Sequence, residues 1–125
     1  RLVLVNGWTP ELENIVRMNP LNRNAMDYLG VAYLLGKEMD AFRLLIEQHY
    51  GTDALPQLPV AFQQAALVLY RDNESMLNKY GILQEVKNEY NRFLLWEEKN
   101  KNNPNRKRIM ESEFGHTYWY YAKFI

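Results

Sequence analysis

The stretch Asn19–Leu45, NPLNRNAMDYLGVAYLLGKEMDAFRLL, decides how the rest of the chain is read. Asn19-Pro20 is a turn signal, because proline cannot continue a preceding helix. Asn22 or Asn24 can cap the helix that follows, since a short polar side chain accepts from backbone amides left free in the first turn. Met26, Leu29, Gly30 and Tyr33 then stand at offsets 0, 3, 4 and 7, the spacing of one helical face. Gly30 inside that helix costs about 1 kcal/mol against alanine, and a glycine there fits close approach of a second helix. Gly36-Lys37 reads as the stop, with the glycine as left-handed cap. A second helix is expected from about Glu38 to Tyr50, with Ala41, Leu44, Leu45 and Gln48 on its inner stripe and Met39, Phe42 and Ile46 widening it.

Outward from this pair the chain repeats the theme. Upstream, Leu2–Val5 is apolar and has no strand partner, so it reads as the last turn of a helix or an arm. Thr9-Pro10-Glu11 starts a short helix to Met18. Downstream, Gly51 to Pro59 reads as a linker. Val60–Tyr70 is apolar on nearly every side, which places it at the centre of a bundle. Asn73 caps a short helix, Glu74–Lys79. A longer helix, about Leu83 to Lys99, carries the stripe Ile82, Val86, Tyr90, Phe93 and Leu94. A further helix should run from Pro104 or Asn105 to Glu113, and Thr117 should cap a last one, Tyr118–Ile125.

The run Met26-x-x-Leu29-Gly30-x-x-Tyr33 resembles the first helix of a tetratricopeptide unit, although Phe42 stands where that family usually has alanine. The wider pattern resembles the C-terminal soluble part of an uncharacterised family of Bacteroidetes membrane proteins. It is carried by NPLNRNAMDYLGVAYLLGK, by Leu58-Pro-x-x-Phe-Gln-Gln-Ala-Ala66, and by the ending Phe114-Gly-His-Thr-Tyr-Trp-Tyr-Tyr-Ala-Lys-Phe124. The first resemblance implies helix pairs stacked as a short solenoid. The second implies attachment to a membrane-spanning part of a parent protein in the bacterial cell envelope, and it implies no activity.

A length of 125 residues supports one helical-repeat domain, and the opening on Arg1 within an apolar run suggests a fragment of a longer protein. Basic and acidic residues number 15 each, so no global field draws nucleic acid or anionic lipid. There is no cysteine, which removes disulfide and thiol chemistry. The two histidines, His49 and His116, lack the converging ligands that zinc requires. Ser75 and Ser112 have no nucleophile elbow around them, and the acidic pairs Glu11/Glu13, Glu97/Glu98 and Glu111/Glu113 read as solvated faces. No cofactor motif occurs, and no enzyme class is indicated.

The run Lys99, Lys101, Arg106, Lys107 and Arg108 reads first as a solvated loop. The sharper reading is contact with phosphate on a nucleic acid or a lipid surface. Nine tyrosines and three tryptophans suit both a core and an interface. The expected architecture is all-α, with antiparallel helix pairs stacked as a short tetratricopeptide-like solenoid. The expected role is binding of a protein or peptide in a groove lined by Asn22, Asn24, Tyr28, Tyr33 and Gln63, without nucleic acid. The alternative is a structural domain whose aromatic tail, Tyr118, Trp119, Tyr120, Tyr121 and Phe124, docks on the parent protein or on a second copy.

Overall fold

The computed structural model describes residues 23–125, which form seven helices and no strand. They are α1 (Arg23–Leu35), α2 (Met39–His49), α3 (Val60–Leu69), α4 (Glu74–Lys79), α5 (Gln84–Asn100), α6 (Arg106–Phe114) and α7 (Tyr118–Phe124). The expectations for Leu2–Val5, for the helix Pro10–Met18, for Pro20 and for Asn22 fall outside the described residues. The chain divides between Leu58 and Pro59 into two compact units.

In the first unit α1 packs on α2. The inner stripe of α1 is the one its spacing predicts: Met26, Leu29, Gly30 and Tyr33 are buried, joined by Ala25, Ala32 and Leu34. Asn24 lies within the first turn of α1 rather than ahead of it. The stop differs from expectation in one respect. The residue with positive φ is Lys37, at 57°, and not Gly36. The Lys37 amide donates to Leu34 O at 3.1 Å and the Glu38 amide to Tyr33 O at 2.8 Å. This pair of bonds is a Schellman closure whose left-handed position follows the glycine by one residue.

The phase of α2 also differs. Phe42, Leu45 and Ile46 are buried, whereas Leu44 is 49% exposed and Gln48 is exposed. Of the stripe expected through Ala41, Leu44, Leu45 and Gln48, Leu45 is buried as expected, and the centre of the inner stripe is turned by about one residue, roughly 100°, towards Phe42 and Ile46. Nor is the segment after α2 a bare linker. Thr52 Oγ1 donates to His49 O at 2.7 Å, and the Gly51 amide donates to Leu55 O at 2.9 Å with Gly51 at φ 90°. Ala54, Leu55 and Leu58 are buried, and the Arg23 guanidinium donates to Asp53 O at 3.1 Å. This bond ties the start of α1 to the turn.

In the second unit α3 packs on both α5 and α7, α5 packs on α6, and α6 packs on α7. The expectation of a central helix holds within this unit. Phe62, Ala65, Ala66 and Leu67 are buried, while the outer positions Val60, Ala61 and Val68 stand open, Val60 at 54% and Val68 at 42%. Asn73 Oδ1 accepts from the Met76 amide at 3.1 Å, capping α4 as its sequence indicates. A second Schellman closure ends α4, with the Ile82 amide donating to Leu77 O at 3.1 Å and Gly81 at φ 67°. Here the glycine does occupy the left-handed position. Ile82 and Leu77 are both buried and supply the apolar contact that accompanies the motif.

The stripe Val86, Tyr90, Phe93 of α5 is buried against an aromatic cluster. Phe93 meets Phe114 edge-on with centroids 5.3 Å apart, and Tyr90 lies 4.9 Å from Trp119. Trp96, off that stripe, meets Phe114 edge-on at 5.9 Å. Such geometries contribute beyond area burial, by about 0.5–1.5 kcal/mol per pair.

Candidate interaction surfaces

Two adjacent glutamines in the apolar α3 position the last helix and the start of α5. Gln63 and Gln64 are buried, at 6% and 3% exposure. Gln63 Oε1 accepts from the Leu83 amide at 2.9 Å, at the residue that precedes α5. Gln64 Oε1 accepts from the Tyr118 amide at 2.8 Å, and Gln64 O accepts from Trp119 Nε1 at 2.8 Å. Thr117 Oγ1 accepts from the Tyr120 amide at 3.1 Å. Two of the amides that a helix start leaves without intrahelical partners are thus satisfied at α7. The sequence singled out Gln63 as a groove amide and passed over Gln64. The available signal was a pair of amides inside a helix otherwise apolar all round.

The residues expected to line a groove are distributed as follows. Asn22 lies outside the described residues. Asn24 and Tyr28 share the outer face of α1, with Tyr28 63% exposed and Val31 beside it 42% exposed. Tyr33 is buried on the inner stripe of the same helix, and Gln63 belongs to the second unit. Among the five, the exposed pair Asn24 and Tyr28 is the one that shares a face. With Val31 they stand at offsets 0, 4 and 7, an open stripe on a helix whose inner stripe is already filled.

The aromatic tail is largely internal to its own unit. Tyr118, Trp119 and Tyr120 are buried, and Tyr121 and Phe124 are half-buried. Tyr118 stacks on Tyr121 at 5.9 Å, and Tyr120 on Phe124 at 5.1 Å. Burial, with the neighbouring Tyr121, pushes the Tyr118 phenol up to about 12. Burial also raises the Tyr90 phenol, opposed by the nearby Arg71 guanidinium.

The basic run gathers with the end of α7. Arg106 Nη1 donates to Lys101 O at 3.5 Å, and the Arg106 guanidinium lies 5.3 Å from the centroid of the Phe124 ring. Lys101 pairs with Glu98 at 2.7 Å and Lys123 with Glu97 at 2.7 Å. Lys99, Lys107 and Arg108 are exposed. Arg106, Lys107 and Arg108 open α6, whose first turn holds no acid and whose cap residue Asn105 makes no side-chain bond to it. Cations at a helix start oppose its macrodipole, each by about 0.3–1 kcal/mol, so this cluster does not serve the stability of α6.

His116 Nε2 lies 2.9 Å from Glu89 Oε2, and burial lowers the His49 imidazole from its usual range. Among the described residues no three histidine or acidic side chains converge as a metal site requires. A cleft of about 380 Å³ in the second unit runs over Leu67, Leu77 and Tyr90, with Arg71, Asp72 and Lys87 at its rim. Lys87 Nζ is already 2.7 Å from Glu74 Oε2. No helix among the described residues is long and apolar enough to cross a membrane.

Among the described residues these features define an all-helical fold whose open chemistry is an amphipathic helix face and a cationic end. A family model described as a family of unknown function (DUF6057) matches residues 4–125, and the chain belongs to that family. No curated protein and no solved structure matches it.

Proposed function

We propose that the chain is an interaction module of a larger protein, and that a protein or peptide partner docks on the outer face of α1. The observation that carries this reading is Tyr28, 63% exposed on a helix whose other side is fully packed, with Val31 and Asn24 in line. Tyrosine offers large contact area with a polar tip and little side-chain entropy to lose. An apolar residue and an amide at helical spacing beside it suit a partner that lies along the helix. The partner then meets the outside of the pair rather than a groove within it. The tetratricopeptide-like spacing of Met26, Leu29, Gly30 and Tyr33 supports taking the α1–α2 pair as one unit of a short solenoid. The likeness to the Bacteroidetes family supports a parent protein anchored in the cell envelope.

A second reading is structural: the module docks on the rest of its parent or on a second copy, without a free ligand. Leu95, 69% exposed on α5, favours it. A photo-crosslinking residue placed at position 28 or at position 95 of the parent protein in its own cells separates the two. Crosslinks from position 28 to a different polypeptide, lost in an Asn24→Asp/Val31→Asp variant that keeps its helical signal, support the interaction reading. Crosslinks from either position that stay within the parent or join two copies support the structural reading. An absence of crosslinks from position 28 overturns the proposal for α1.

A further inference from the structure

We propose that the end of the second unit where α5 finishes, α6 begins and α7 finishes docks on an anionic lipid bilayer, through the phosphates of its headgroups. Three helix ends meet there, held by the Arg106 bond to Lys101 O and by the Arg106 guanidinium over Phe124. They bring together Lys99, Lys101, Arg106, Lys107, Arg108 and Lys123 in a chain whose formal net charge is zero. The carboxylates of the same helix ends, Glu97 and Glu98, are engaged by Lys123 and Lys101. Glu111, one turn into α6, bonds the Tyr120 hydroxyl. Lys99, Lys107 and Arg108 therefore present their charge outward. Cations grouped within a Debye length of one another act together on an anionic surface.

The surroundings favour a bilayer over a nucleic acid. Stacking on bases needs open aromatic faces. Here Tyr118, Trp119 and Tyr120 are buried, and Phe124 has Tyr120 stacked on its ring and Arg106 over it. No helix among the described residues is long and apolar enough to cross the bilayer.

Co-sedimentation of the full chain with vesicles tests this. Binding is expected to vesicles of phosphatidylcholine mixed with phosphatidylglycerol, and not to phosphatidylcholine alone. It should vanish at high salt. Each cation removed should lower partitioning about fivefold, so Lys107→Gln/Arg108→Gln should lower it about 25-fold by the same rule. Lys99→Gln/Lys107→Gln, a second pair on exposed sites, should do the same. Arg71→Gln, on the turn after α3, should leave partitioning unchanged, and circular dichroism should show every variant folded. The proposal is overturned by equal binding to both vesicle types or by double variants that partition like the parent chain. It is equally overturned by an Arg71→Gln loss as large as theirs, or by tighter binding to a single-stranded oligonucleotide than to the anionic vesicles at one salt concentration.

Discussion

Lys37 holds a backbone conformation that its side chain disfavours. At φ 57° its Cβ crowds the following carbonyl, at a cost of about 1–2 kcal/mol for an L-residue. The closure of α1 needs a left-handed residue at that position, and the glycine stands one place too early. Lys37→Gly should therefore stabilise the first unit by about 0.5–1 kcal/mol, part of the gain being cancelled by the extra freedom of glycine in the unfolded chain. Urea denaturation reads this directly. Gly81, at φ 67° in the equivalent place after α4, gives the reciprocal experiment: Gly81→Ala should cost about 1 kcal/mol. A stabilising Gly81→Ala would contradict the assignment of both closures. Tyr118 makes a pH-dependent prediction. Its folded pKa of about 12 lies above the unfolded value near 10, so above pH 10 the unfolded chain has given up a proton that the folded chain retains. Stability must then fall as pH rises from about 10 towards 12, and Tyr118→Phe should flatten that slope. Phenolate absorbance alongside thermal melts checks both parts.

Between elements, the strongest polar constraint is the pair of glutamines in α3. Gln64→Leu conserves volume but leaves the buried Tyr118 amide without an acceptor, at a cost of about 1–3 kcal/mol. Val68→Leu, an exposed change on the same helix, should stay within about 0.5 kcal/mol. Equal effects would mean that the Gln64 side chain does not hold α7, leaving the bond from Trp119 Nε1 to Gln64 O and the aromatic packing to do so. This joint also marks where sequence reading stopped. The α5 stripe was legible because seventeen residues give several turns of one consistent face, flanked by charges. The caps at Asn73 and Thr117 were legible because a cap is a local bond, made three residues away. The phase of α2 was not, because Met39, Ala41, Phe42, Leu44, Leu45 and Ile46 contain two apolar stripes about 100° apart, and only the partner helix selects between them. The Gln64–Tyr118 bond spans 54 residues, a separation that no periodicity reports. The same holds for the aromatic tail. Composition made it a docking element, but burial of Trp119 in its own unit depends on where α3 lies.

At the scale of the molecule, the second unit carries a complete set of the things a domain needs. Its core has aromatic residues from four helices, α3, α5, α6 and α7, with Phe62, Phe93, Phe114 and Trp119 each no more than 4% exposed. Its polar joints, Gln63 to Leu83 and Gln64 to Tyr118, both close within it. Domains of about 55–65 residues often fold alone when such a core is present. The fragment 59–125 should accordingly keep its helical signal and melt in one cooperative transition. Its near-ultraviolet circular dichroism, dominated by Trp96 and Trp119, should match that region's contribution in the whole chain. Phe114→Ala should cost about 3–5 kcal/mol in the fragment, enough to abolish the transition in a unit this small. Helical signal without near-ultraviolet structure would mean that the α3–α5–α6–α7 core needs residues upstream of Pro59, and the chain would then have to be treated as one cooperative domain. A sharp melt of the fragment, with Phe114→Ala eliminating it, would instead place the cationic end and its helices on a unit that can be tested against vesicles by itself.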